Sequence, residues 1–166
     1  MARPRASPDT HRGADQPRGV ELCEQPLPAG RLDDVAWLRA RSSLPLIADE
    51  DCVPGADLSA LADAYDGVNI KLDKEGGILA ARARMNAAHE LGLSVMVGCM
   101  VSSSLALTQA AHVALGGARW ADLDGHLLLA DDPFEGLLLD AQGRVCLPSG
   151  LGLGVRPQPS ASPFPS

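Results

Sequence analysis

The feature that most constrains this chain is a regular alternation of strand and helix signals between Val20 and Leu123. Val20 to Gln25 reads as a short strand stopped by Pro26. Leu32 to Arg41 reads as a helix, with Leu32, Val35, Ala36 and Leu38 on one face. Further strands are expected over 44–49, 68–72, 93–100 and 119–123, and further helices over 58–65, 78–91 and 105–115. Gly92 and Gly116-Gly117 supply two of the helix stops. Repeated strand–helix units of this kind close into a parallel sheet covered by helices. Five strands and four helices fit half of a (β/α)8 barrel, since a complete one takes about 250 residues. The predicted class is therefore α/β: a partial (β/α)8, TIM-like barrel, its C-terminal half.

The third strand carries the most chemistry. Val68, Ile70 and Leu72 alternate with Asn69, Lys71 and Asp73, giving one apolar and one polar face. Gly76-Gly77 ends the strand, and an Ala-rich helix follows. Lys71 thus falls near the C-terminal end of a strand that feeds a helix, the end where parallel barrels place their reactive groups. The fourth strand, Leu93 to Met100, is almost continuously apolar, as expected when both faces are buried.

Outside this rhythm the composition shifts. Residues 1–19 are rich in Pro, Arg, Gly, Asp and Ala without periodicity, and are expected to be disordered. The folded unit is expected over 20–157, with a hairpin around Leu137–Leu139 and Val145–Leu147. Residues 158–166 form a Pro/Ser-rich tail, also expected to be disordered. Aromatics make up only 3% of the chain, so Leu, Val, Ala and Ile must build its core. The net charge of -7 and pI near 4.9 argue against nucleic acid or an anionic membrane as a main partner. Four dispersed cysteines, Cys23, Cys52, Cys99 and Cys146, form neither a zinc pattern nor a disulfide framework. No apolar run is long enough to span a bilayer, and the arginine-bearing N-terminus has no hydrophobic segment of a secretory signal. A cytoplasmic location is expected.

Each strand ends on residues that can do chemistry. The first offers Glu24, the second Asp49 and Glu50, the third Lys71, the fourth Cys99 and the fifth Asp122 and Asp124. In a parallel barrel all of these face one mouth. Converging carboxylates suit a hard dication with oxygen ligands, Mg2+ above all. A lysine beside such an ion has its pKa lowered by the neighbouring positive charge and by desolvation, and can act as a base. The chemistry this suggests is proton abstraction next to a carboxylate, with the metal stabilising an enediolate.

Five motifs in order carry a specific resemblance: Glu24-Gln25-Pro26, Ala48-Asp49-Glu50, Asn69-Ile70-Lys71-Leu72 with Gly76-Gly77, Val97-Gly98-Cys99-Met100, and Asp122-Leu123-Asp124-Gly125. From Val20 to Pro157 the chain resembles the C-terminal barrel half of enolase-superfamily enzymes of the muconate-lactonizing subgroup, and within it the dipeptide epimerases. The resemblance implies that Glu24 and Asp49 are Mg2+ ligands and that Lys71 is the acid/base at the substrate α-carbon. It also implies that Asp122 and Asp124 hold the α-ammonium group of a dipeptide, with Glu50 and Cys99 near the site. The implied partner is a small dipeptide substrate; separately, the open strand edges of a half barrel invite pairing with another copy of the chain, a homo-oligomer.

Some features depart from that family. Its first metal ligand and its Lys-x-Lys strand have no match before Glu24, so a truncated form is expected. Asp51 stands where the family usually has Ser, which is expected to add negative charge near the metal, and Ser102 where several members carry Glu. Two rivals follow: a muconate cycloisomerase or o-succinylbenzoate synthase relative, and a non-catalytic fragment or oligomerising half-barrel with open strand edges. Lys74 is expected to be a solvated charge, His89 and His112 surface or helix-packing residues, and Ser102 to Ser104 the cap of the helix that follows. His126 is expected to be a bystander beside the Asp pair.

Overall fold

A computed structural model describes residues 19–159; both expected disordered tails, apart from their innermost residues, lie outside the described residues. Five parallel strands form one curled sheet in the order β1-β2-β3-β4-β5: β1 (Cys23–Glu24), β2 (Leu46–Ala48), β3 (Gly67–Lys71), β4 (Ser94–Gly98) and β5 (Trp120–Ala121). Sequence order and spatial order coincide, as in a barrel wound one strand at a time. The connecting helices are α1 (Leu32–Arg39), α2 (Leu58–Ala64), α3 (Leu72–Glu75), α4 (Ile78–Glu90) and α5 (Ser104–Ala114). The half-barrel expected from the alternation is present. Every strand but β3 is shorter than the apolar runs suggested.

The core lies between sheet and helices. Val68, Ile70, Val95 and Val97 from the two central strands pack with Val35, Leu61, Ala81, Met85, Leu107 and Val113 from the helices. β4 is buried on both faces, as its apolar run required, and Met96 points away from the helices yet is only 6% exposed. β3 departs from expectation. Its polar alternates do not face bulk solvent, and Asn69 is 1% exposed. Period-two alternation here separates a helix-facing side from the inner side of the curled sheet.

β3 also ends one residue earlier than predicted. Leu72–Glu75 coils into the single-turn helix α3, which Gly76 closes at φ +85°. Gly77 then takes φ +122° to start α4 in a new direction. This is why two glycines stand together: an L-residue would be strained at both positions.

The cap of α5 is not local. Ser103 makes no side-chain cap bond; instead Asp132 Oδ2 accepts the Ser104 backbone N–H at 2.6 Å. The predicted serine cap is therefore corrected to a carboxylate cap from 28 residues downstream. Asp132 belongs to the C-terminal segment, which docks on α5 through Leu137 N to Thr108 Oγ1 at 2.8 Å. Beyond a 3-10 turn at Gly125–Leu128, β6 (Phe134–Glu135), β7 (Leu138–Leu139), β8 (Val145–Cys146) and β9 (Arg156–Pro157) form two small antiparallel pairs. β7 and β8 are the expected hairpin, while β6 with β9 was not foreseen. No helix among the described residues is long and apolar enough to cross a membrane.

Candidate active site

The C-terminal ends of β1, β2 and β3 open onto one cleft of about 680 Å3, lined by Glu24, Gln25, Pro26, Leu27, Asp49, Glu50 and Lys71 among others. Three residues expected from different strands are thus brought together. Parallel pairing does this directly: Glu24 stands level with Ile47, Ala48 with Val68, and Lys71 with Gly98.

Asp49 is the centre of the charge arrangement. It is buried, 8% exposed. Lys71 Nζ donates to its Oδ2 at 2.8 Å, and Lys74 Nζ donates to its Oδ1 at 2.7 Å. These are the two lysines of the whole sequence. Lys74 is therefore not the solvated charge expected. In a strand, positions 71 and 74 would face opposite ways; the turn of α3 brings both to the same carboxylate. Burial pushes the Asp49 pKa up, but the hydrogen bonds and charges of the two ammonium groups outweigh it, and the net shift is down.

Lys71 shows the mirror image. Burial pulls its pKa down, while the Asp49 hydrogen bond and the charges of Asp49, Glu24 and Glu50 push it up further. The carboxylates of Asp49, Glu24 and Glu50 hold Lys71 as an ammonium. Lysine becomes a base only when those negative charges are offset.

Glu24 is half-buried, and its Oε1 accepts from Asn69 Nδ2 at 2.6 Å. Asn69 in turn lies against Gly98, where a Cβ would come within 2.6 Å of both amide atoms. Glycine at 98 is thus a condition for the Asn69–Glu24 contact. Glu50 is exposed at the cleft rim.

Asp51, expected to add charge near a metal, does not itself line the cleft but bonds to Gln25, which does. Its Oδ2 accepts from Tyr65 Oη at 2.6 Å and from Gln25 Nε2 at 3.0 Å, and its Oδ1 accepts from Gly30 N at 2.6 Å. These neutral donors favour the charged carboxylate and hold its pKa down against burial.

Asp122 and Asp124 follow β5 and are exposed. They do not line the cleft of Glu24 and Asp49, but Asp122 still feels the Lys71 charge. Partial burial and the neighbouring Asp124 raise the Asp122 pKa, outweighing the Lys71 charge that lowers it. Cys99 lies between the two groups. Burial raises its pKa, helped by Asp122 and Asp124 and opposed by Lys71 and by a hydrogen bond from the Gly125 backbone. His126 Nδ1 is buried without a hydrogen-bond partner. All four cysteines are free thiols.

Glu24 and Asp49 present hard carboxylate oxygens at adjacent strand ends, the donors through which Mg2+ binds while keeping several waters. Their donor chemistry suits such an ion, while in this structure both Asp49 oxygens are engaged by the lysine ammonium groups. No group of three or more His, Cys, Asp or Glu residues is gathered for a metal among the described residues.

Comparison with known proteins places this geometry in context. Residues 9–161 match the enolase C-terminal domain-like family. An L-Ala-D/L-Glu epimerase of Bacteroides thetaiotaomicron is 41% identical over 138 residues, 83% of this chain and 36% of the relative. An L-Lys-D/L-Arg epimerase of Methylococcus capsulatus is 43% identical over 151 residues, 84% of this chain and 41% of the relative. A crystal structure of a dipeptide epimerase from Cytophaga hutchinsonii, complexed with Mg and the dipeptide D-Ala-L-Val, superposes with a TM-score of 0.76 at 31% identity. It covers 86% of this chain and 40% of that one. The chain therefore spans about two-fifths of the length of the relatives it matches.

Proposed function

This chain belongs to the enolase C-terminal domain-like family, and from that membership we propose that it carries one acid/base and part of the Mg2+ site of a dipeptide epimerase. The observation that carries the reading is the placement of Lys71 Nζ 2.8 Å from Asp49 Oδ2, in one cleft with Glu24. A base, a buried carboxylate and a second carboxylate at successive strand ends are what proton transfer beside a substrate carboxylate requires.

Glu24 and Asp49 would hold Mg2+. When bound, the ion supplies positive charge to the substrate carboxylate and so favours loss of the adjacent α-proton. Lys71 exchanges that proton at its Nζ. Offsetting the charges of Asp49 and Glu24 removes what now holds Lys71 protonated. Lys74 keeps Asp49 aligned from the opposite oxygen. Asn69 orients Glu24. Asp122 and Asp124 take the free α-ammonium of a dipeptide, a cation that would relieve their mutual repulsion.

The relatives differ in the dipeptides their names specify, and the preference of this chain is a matter for experiment. The folded unit is proposed to run over 20–157. The test of substrate class compares L-Ala-L-Glu with its N-acetylated form on the parent and on Asp122→Asn and Asp124→Asn. The reading expects the parent to prefer the free ammonium and both variants to lose that preference. Equal handling of the two substrates by the parent would sink the dipeptide assignment.

A second reading has its own observation. Within the described sheet, β1 and β5 each pair on one side only. Exposed parallel edges favour association with another chain. An inert, associating half-barrel would melt at the same temperature with and without Mg2+, whereas binding to the native state raises the melting temperature.

A further inference from the structure

We propose that Gln25 is a positioning residue, a side-chain brace that fixes the carboxylate of Glu24 relative to that of Asp49, with Tyr65 and Asp51 locking the brace. The proposal rests on the preceding reading of Glu24 and Asp49 as metal ligands.

β1 is a two-residue strand, and its ladder to β2 is correspondingly thin. The last backbone bond of that ladder runs from Gln25 N to Ile47 O at 2.8 Å. Beyond it the chain turns at Gln25, which has φ +37°, the one positive φ among the described non-glycine residues. Such a conformation disfavours an L-residue and persists where the surroundings determine it. The side chain shows what does. Gln25 Oε1 accepts from the backbone N–H of Asp49 at 2.9 Å and of Asp51 at 3.3 Å. Gln25 Nε2 donates to Leu27 O at 2.8 Å, to Tyr65 Oη at 3.0 Å and to Asp51 Oδ2 at 3.0 Å.

These partners fix the amide's orientation, since its oxygen faces only donors and its nitrogen faces acceptors. Tyr65 is fully buried and donates to Asp51, so the far end of the brace is anchored in the core. The amide thereby ties the residue after Glu24 to the β2 side past Ala48, at the backbone of Asp49 itself and of Asp51. A glutamine is used where the backbone favours glycine because glycine has no amide to reach across.

That contrast supplies the test. Gln25→Gly relieves the backbone but removes the brace. The purified chain and this variant are titrated with Mg2+ by calorimetry, and their amide hydrogen exchange is followed by NMR. We expect Gln25→Gly to bind Mg2+ at least about tenfold more weakly, the size of effect seen when an outer partner of a ligand is lost. Exchange at Asp49 and Asp51 should quicken by a similar factor while Val68 and Val95 hold. If the parent binds Mg2+ and the variant's Kd lies within twofold of it, the brace is refuted, whatever happens to stability. If the parent binds no Mg2+, the metal reading of the preceding subsection fails instead. Exchange alone then decides: faster at Asp49 and Asp51 supports the brace, unchanged refutes it. Should Gln25→Gly not fold, Tyr65→Phe, which deletes only the locking hydroxyl, is judged by the same two readouts.

Discussion

Lys74 Nζ stands 2.7 Å from Asp49 Oδ1, on the opposite carboxylate oxygen from Lys71. One buried carboxylate thus holds both lysines of the chain. The two have different jobs in this account. In the proposed mechanism Lys71 carries the proton, and Lys74 keeps Asp49 in place meanwhile. Replacing Lys74 by Met removes one charge-assisted bond from a mostly buried carboxylate, at a cost of about 2 kcal/mol. Denaturant unfolding of Lys74→Met should show that loss. A change of less than about 0.5 kcal/mol would mean the contact is an ordinary surface pair.

The same cluster sets a pH dependence. The Asp49 pKa lies below its ordinary value of 3.8 in the folded chain. Its stabilisation is therefore present above the unfolded value and lost as pH falls through the lower folded one. The Lys71 pKa lies above its ordinary value of 10.5, so its contribution is complete below that and is lost as pH rises through the higher folded value. Asp49→Asn should be less stable than the parent by a constant margin between about pH 5 and 9, and the margin should close at both extremes. Unfolding midpoints measured across pH check this. A margin that persists undiminished in strong acid contradicts it.

Gly98 tests the support of Glu24. A methyl group there would fall 2.6 Å from both ends of the Asn69 amide. Gly98→Ala should cost about 1–3 kcal/mol through overpacking. It should also weaken Mg2+ binding, because Asn69 can no longer hold Glu24 Oε1. Destabilisation with an unchanged Mg2+ affinity would detach Asn69 from the site.

Much of this arrangement was legible in the sequence, for physical reasons. β3 and β4 show in their apolar alternation and continuous apolar run, because central parallel strands are buried by helices on one side. Glu24, Asp49 and Lys71 could be gathered in advance, because parallel strands deliver their C-terminal ends to one rim. Lys74 reads as a solvated charge because nothing in its own neighbourhood reports that the turn of α3 brings it to Asp49; the Gly76 stop is the available sign of that turn. Asp132, Gln25 and Asp51 act through partners far along the chain, and no local pattern reports such contacts.

Asp122 offers a trade of stability against binding. Burial and the adjacent Asp124 raise its pKa, so its charged form is unfavourable in the folded chain. Asp122→Asn should leave thermal stability at neutral pH equal or higher, while raising KM for a dipeptide with a free ammonium. Paired melting curves and steady-state kinetics give both numbers. A fall in stability with unchanged KM would make Asp122 a structural residue.

The proposed function stands or falls on Lys71 exchanging the α-proton of a dipeptide. Its most direct test is to incubate the chain with Mg2+ in D2O, with L-Ala-L-Glu and L-Ala-D-Glu in turn, and follow the glutamyl α-proton by NMR. Lys71 is the one lysine that lines the cleft, so proton exchange through it is confined to one face of the α-carbon. The account predicts deuterium incorporation into one epimer, abolished in Lys71→Ala and retained at a reduced rate in Lys74→Met. Exchange that survives in Lys71→Ala, or no exchange in the parent with either epimer, would contradict it.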